Sequence, residues 1–195
     1  SVAGALPHGG GIVATRPFRA PHHNISTAAL TGGGRNVTPG EISLAHLGVL
    51  FLDELPEFRR DALEALRQPL EDGIVTVARV SGTAVFPARF MLIAAMNPCP
   101  CGHLGSENQL CRCTPLQVRR YRNRISGPLL DRMDMFVEMR AVQYEEITSR
   151  EVGEGSDIVK ERVNVARALQ LDRFRDAGIY CNAQMDAGLV ERYCQ

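Results

Sequence analysis

Asp53 and Glu54 stand side by side at the end of an apolar run, Gly48-Val49-Leu50-Phe51-Leu52. At the end of a buried strand, an aspartate can hold a hydrated Mg²⁺ and an adjacent glutamate can orient and deprotonate a water attacking a phosphoryl group. The plainer alternative is two acids that leave a sheet and cap the helix beginning near Pro56, and short strings of this kind arise by chance. Asn97 ends a second apolar run, Phe90 to Met96. It is placed to hydrogen-bond an attacking water or a γ-phosphate, or simply to turn the chain before Pro98. Arg132, in Leu129-Leu130-Asp131-Arg132, could stabilise transition-state charge on a neighbouring subunit's nucleotide, or form a surface ion pair with Asp131 or Asp134.

Cys99-Pro100-Cys101 and Cys111-Arg112-Cys113 form two C-x-C pairs with nine residues between them. Four thiolates closed by one loop match a tetrahedral structural Zn²⁺ site, with His103 as a substitute ligand; the alternative is four reduced thiols in a cytoplasmic loop. Arg119, Arg120, Arg122 and Arg124, with Arg79, could contact nucleic-acid phosphates, although such a run is more often a solvated helix face or a subunit contact. His8, His22 and His23 lack ligand spacing and read as loop residues.

The elements that must position these groups follow from periodicity. Four bulky apolar residues in a row, Val49 to Leu52, predict a parallel-sheet strand buried on both faces, and Phe90 to Met96 predicts another. In an open parallel sheet both carboxyl ends face one crevice, which would put Asp53 and Asn97 together. Pro17 to Pro21 is expected to be extended, residues 41–47 a short helix, and residues 56–70 one helix with a stripe of Leu63, Leu66 and Leu70, closed at Asp72-Gly73. Residues 74–80 and 83–87 read as a β-hairpin turning near Ser81-Gly82. Thr114-Pro115 predicts a helix start, and residues 128–132 a helical turn. Residues 135–142 predict a third strand. Ser156 is expected to cap a long helix with Ile158, Arg162, Val165 and Leu169 on one face, before a second helical segment near residues 185–194.

Composition bounds the class. The chain has 195 residues, 45% of them hydrophobic, and no long apolar segment or signal peptide pattern, so a cytoplasmic location is the expectation. Net charge is zero but uneven: residues 53–72 carry seven acids against three arginines, and residues 79–124 seven arginines against Glu107 alone. A phosphate-cradling P-loop needs Gly-Lys-Ser/Thr, yet the chain's single lysine is Lys160 and its Gly9-Gly10-Gly11 and Gly32-Gly33-Gly34 runs lead into Ile12 and Arg35. Either the protein hydrolyses no nucleotide or its P-loop lies upstream.

In order along the chain, Arg16 to His23, Pro39 to His46, Gly48 to Phe58, Leu63 to Gly73, Pro87 to Phe90, Ala94 to Gly102 and Ser126 to Arg132 resemble the magnesium-chelatase-like AAA+ ATPases, most closely their ComM/YifB competence-type branch. The resemblance implies an α/β fold: a partial AAA+ P-loop NTPase core over residues 1–143, a parallel sheet flanked by helices with a pre-sensor-1 β-hairpin at 74–87. Residues 144–195 would begin a helical lid. It makes Asp53 and Glu54 the Walker B pair, Asn97 sensor 1 and Arg132 an arginine finger acting in trans. The P-loop would precede the first residue and the sensor-2 arginine would follow Gln195. The segment alone is then expected to be inactive and to bind ATP weakly, because the P-loop strand would sit between the sensor-1 strand and the last one.

What the resemblance implies for function is an ATP- and Mg²⁺-dependent ring motor, a homo-oligomer expected to be a hexamer, that moves on DNA as a helicase or branch-migration factor in natural transformation. The hairpin would project into its channel, and no membrane is involved. A magnesium-chelatase ATPase subunit is the alternative within the fold. The alternative of another class is a non-catalytic, zinc-stabilised interaction module.

Overall fold

A computed structural model of the chain describes residues 15–34, 37–79, 82–106, 109–139, 142, 148 and 153–194. It divides into two compact units, Ser1–Met139 and Arg140–Gln195.

The first unit is built on a three-stranded parallel sheet. Its strands are β1 (Phe18–Arg19), β4 (Val49–Leu52) in the middle and β7 (Met91–Ala94). Val49 pairs with both Phe18 and Met91, and Leu52 pairs with Ala94. Because side chains alternate along a strand, one face of β4 presents Leu50 and Leu52, both fully buried. Beneath them lie Leu30 of α1 (Thr27–Thr31), Ile42 of α2 (Glu41–Leu44), and Ala62 and Leu63 of α3 (Arg60–Glu64). Each buried leucine contributes about 1.5–3 kcal/mol. The other face departs from the expectation of burial on both sides: Val49 and Phe51 are half-buried, while Phe18, Met91 and Ile93 are exposed. Phe18 stacks on Phe51 with ring centroids 6.2 Å apart.

Entry into β4 requires glycine at position 48, where a Cβ would lie 1.9 Å from the Pro17 carbonyl oxygen. Arg19 ties β1 to α2 through two hydrogen bonds to Glu41, at 2.5 and 2.6 Å.

The helix expected over residues 56–70 is three shorter pieces: a 3₁₀ turn at Leu55–Glu57, α3, and α4 (Arg67–Asp72). Phe58 is extended, and Pro69 has no N–H to offer the carbonyl of residue 65, so one continuous helix would lose a bond there. As the third residue of α4, Pro69 sits where no intrahelical donor is needed. Gly73 ends α4 in the left-handed conformation with φ 67°.

The hairpin forms as expected, β5 (Ile74–Arg79) antiparallel to β6 (Gly82–Pro87), with Val75, Val77 and Phe86 buried in the core. Its turn residues 80 and 81 lie outside the described residues. Two small strands, β2 (Gly32–Gly33) and β3 (Thr38–Pro39), pair beside α1 and α2. Two helices follow β7: α5 (Pro115–Arg122) and α6 (Gly127–Leu130). A capping box between Thr114 and Gln117 starts α5.

The strand expected over 135–142 is absent from the described part of that stretch, where residues 133–139 are irregular and Met135, Phe136, Val137 and Met139 are exposed. A strand needs a ladder partner, and among the described residues nothing pairs with the outer edge of β7 or of β1.

In the second unit, α7 (Ser156–Arg173) begins at Gly155 rather than at a Ser156 cap, with no side-chain capping bond. Ile158, Val165 and Leu169 are exposed. A 3₁₀ turn at Asn182–Gln184 leads to α8 (Ala187–Tyr193), capped by Asp186, and the buried Phe174 meets Tyr193 edge-on at 5.4 Å. The architecture is α/β, compatible with a partial P-loop NTPase-like core. Among the described residues no helix is long and apolar enough to cross a membrane.

Candidate active site and cysteine centre

Because β4 and β7 are parallel and in register, the residues that follow them emerge on one edge of the sheet. Two backbone bonds lock these exits together: Ala95 N–H donates to the Leu52 carbonyl and Leu55 N–H to the Ala95 carbonyl, both at 2.9 Å. Asp53, Glu54 and Asn97 all lie exposed on that edge. Glu54 adopts the left-handed conformation (φ 53°, ψ 45°), uncommon for a residue with a side chain, and its N–H donates to Asp53 Oδ1 at 2.8 Å. One Asp53 oxygen is thereby fixed by its neighbour. Hard oxygen donors at a solvent-facing strand end suit Mg²⁺, which keeps most of its waters.

A residue that sequence reasoning set aside completes this edge. His23 Nδ1 lies 3.0 Å from Glu54 Oε2, and since a carboxylate only accepts, Nδ1 carries the hydrogen. The His22 ring lies 4.1 Å from that of His23, and Phe58 meets His23 edge-on at 6.3 Å. Nothing in ligand spacing points to His23; its place in the Arg16–His23 motif was the available signal.

Helix α5 spans both exits. Tyr121 is buried against the backbone of Asn97, and its pKa is raised by burial first and then by the Glu57 carboxylate, with the Asn97 N–H opposing and Glu54 adding to the rise. Arg124 donates to the Pro56 carbonyl at 3.1 Å and to Glu57 Oε2 at 2.7 Å. Arg122 Nε donates to the Pro98 carbonyl at 3.3 Å. Two of the arginines singled out for nucleic-acid contact are therefore engaged within the chain. Arg119 and Arg120 are exposed, and Arg119 lines a shallow cleft of about 430 Å³ with Leu104 and Val118. The side chain of Arg79, near the hairpin turn, lies outside what the structure describes.

Arg132 follows α6 and pairs with Glu71 of α4, a partner distant in sequence rather than the adjacent Asp131 or Asp134. Both side chains are partly exposed.

The four cysteines do meet. Their Sγ atoms all lie within 4.8 Å of one another, with Cys99–Cys101 at 3.4 Å and Cys111 at 3.7 Å from both. A tetrahedron of thiolates about 2.3 Å from a central zinc has edges of about 3.8 Å. The spacing thus fits one metal ion. The set contains no histidine, so His103 contributes its backbone instead: its N–H, with that of Arg112, faces Cys101 Sγ and helps pull that thiol down to about 6. Cys113 is pushed up to about 12, first by its hydrogen bond with Cys101. Thiols this close share protons that a bound dication would displace.

The family profile described as "Magnesium chelatase, subunit ChlI" matches residues 1–147. The chain belongs to the magnesium-chelatase-like AAA+ ATPases, in their ComM/YifB branch. It is 49% identical to the uncharacterized protein YifB of Escherichia coli, over 92% of this chain and 35% of that protein. It is 48% identical to the competence protein ComM of Haemophilus influenzae, over 92% of this chain and 34% of that one. An uncharacterized protein of Mycobacterium tuberculosis is 45% identical over 98% of this chain and 38% of its own length. The chain thus spans about a third of the length of these relatives. The family is one of ATPases that use nucleotide and Mg²⁺, and its members commonly form rings.

Proposed function

We propose that this chain supplies the water-activating edge of a cytoplasmic, ATP-hydrolysing ring motor that acts on DNA. The observation that carries the proposal is the shared edge of β4 and β7, where Asp53, Glu54 and Asn97 emerge together and His23 engages Glu54.

In this reading Glu54 orients and deprotonates the water attacking the γ-phosphate, and His23, bonded to Oε2, leaves Oε1 for that water. Asn97 donates a hydrogen bond to the water or to the γ-phosphate. Asp53 would hold Mg²⁺, which neutralises phosphate charge when bound. Arg132, released from Glu71, reaches the nucleotide of the next subunit and stabilises charge in the transition state. The hairpin β5–β6 faces the channel of a hexameric ring, and residues 144–195 begin the lid.

DNA as the partner rests on the similarity to a competence protein and on the exposed Arg119 and Arg120. Helicase and branch-migration activity extend that reading. The experiment is ATP hydrolysis by the full-length protein with and without single-stranded and branched DNA. Stimulation by DNA is the expected result, and hydrolysis indifferent to every DNA form would reject a DNA motor. The thiol tetrahedron also favours a second reading, a zinc-stabilised module without catalysis, which predicts no hydrolysis at all.

A further inference from the structure

We propose that Cys99, Cys101, Cys111 and Cys113 hold one structural Zn²⁺ and that α5 couples this centre to the hydrolytic edge, so that a metal touching no nucleotide sets the rate of hydrolysis. The zinc site stands on its own geometry, while the coupling rests on the ATPase reading above.

The connection is short and continuous. Cys99 is fully buried and lies two residues beyond Asn97, so a metal held there fixes the segment that carries Asn97 away from β7. Cys113 immediately precedes Thr114, whose capping box starts α5. The far end of that helix and the residues just past it then grip both exits at once. Tyr121 lies against the Asn97 backbone, Arg122 donates to Pro98, and Arg124 donates to Pro56 and Glu57 just past Glu54.

Residues 95–113 contain no helix or strand among those described, so little besides a metal can order the cysteine loop. Without it, the first turn of α5 loses its anchor and the helix its fixed position over the two exits. Tyr121 and Arg124 are positioning residues in this account, since neither reaches a reacting atom.

The test uses the full-length protein. Metal analysis is expected to find about one zinc per chain, because four thiolates complete one tetrahedral site. Stripping zinc with a mercurial reagent is expected to lower kcat by up to about a hundredfold, the cost of misplacing a catalytic group by about 1 Å from a distance. ATP affinity changes far less, and removing the mercurial with excess dithiothreitol before adding Zn²⁺ restores the rate. Because loss of a structural metal can itself unfold the protein, Arg124→Ala supplies a second arm. It keeps every thiolate and is expected to retain zinc, lower kcat with little change in KM, and recover partly as Arg124→Lys. Protein purified without zinc and unable to take it up overturns the site. Active protein whose kcat is the same with and without zinc, or unchanged by Arg124→Ala, overturns the coupling alone. Zinc-loaded protein that never hydrolyses ATP overturns the ATPase reading, and the coupling with it.

Discussion

His23 holds Glu54 by a single bond, Nδ1 to Oε2 at 3.0 Å, across the exits of two neighbouring parallel strands. The left-handed backbone of Glu54 turns its side chain out of the strand, and the histidine fixes where it points. A general base must sit within hydrogen-bond reach of the water it activates, so an untethered carboxylate spends time in unproductive positions. His23→Ala is therefore expected to lower kcat of the full-length protein by up to about a hundredfold, with ATP affinity nearly unchanged. His23→Gln, which keeps a donor, should recover part of the rate. Steady-state kinetics beside equilibrium ATP binding checks this, and a loss of affinity equal to the loss of rate would refute it.

The Arg132–Glu71 pair joins α4, which leads directly into the hairpin, to the segment after α6. Partly exposed ion pairs are worth roughly 0–1 kcal/mol, so Glu71→Gln should shift thermal stability little. Arg132→Ala should abolish most hydrolysis, because an arginine finger contributes about 10³-fold or more to the rate, while leaving ATP binding intact. Mixing Arg132→Ala with Glu54→Gln subunits should restore activity in part, since each variant can complete a site for the other. Absence of any recovery would argue against action in trans.

Asp61 gives a pH signature. The Arg59 guanidinium first, then the Thr27 hydroxyl, hold its carboxyl down at about 2 from an ordinary 3.8. A folded-state pKa below the unfolded value stabilises the fold above about pH 3.8, and that contribution is lost as pH falls toward about 2. Thermal midpoints followed from pH 5 down to about 2 should fall more steeply in the parent protein than in Asp61→Asn. Parallel curves would show that the contact has no thermodynamic weight.

Local pattern made much of this legible. Four apolar residues followed by two acids, a hairpin over residues 74–87, two C-x-C pairs and Thr114-Pro115 each announce an element through its own chemistry, and each forms. The rest depends on the path of the chain. His23 and Glu54, or Glu71 and Arg132, meet only because of strand order and helix placement, which no spacing rule encodes. The apolar stretch after Met133 has strand composition but no ladder partner among the described residues, and composition cannot supply one. Pro69 is a readable signal against one long helix, whereas the stripe of Leu63, Leu66 and Leu70 runs through α3 and α4 alike and does not reveal the break between them.

The most direct test of the central claim is Glu54→Gln in the full-length protein, with ATP binding and hydrolysis measured on the same preparation. If Glu54 is the base on the β4 edge, binding persists and kcat falls by about 10²-fold or more. Hydrolysis at the parent rate would contradict the account.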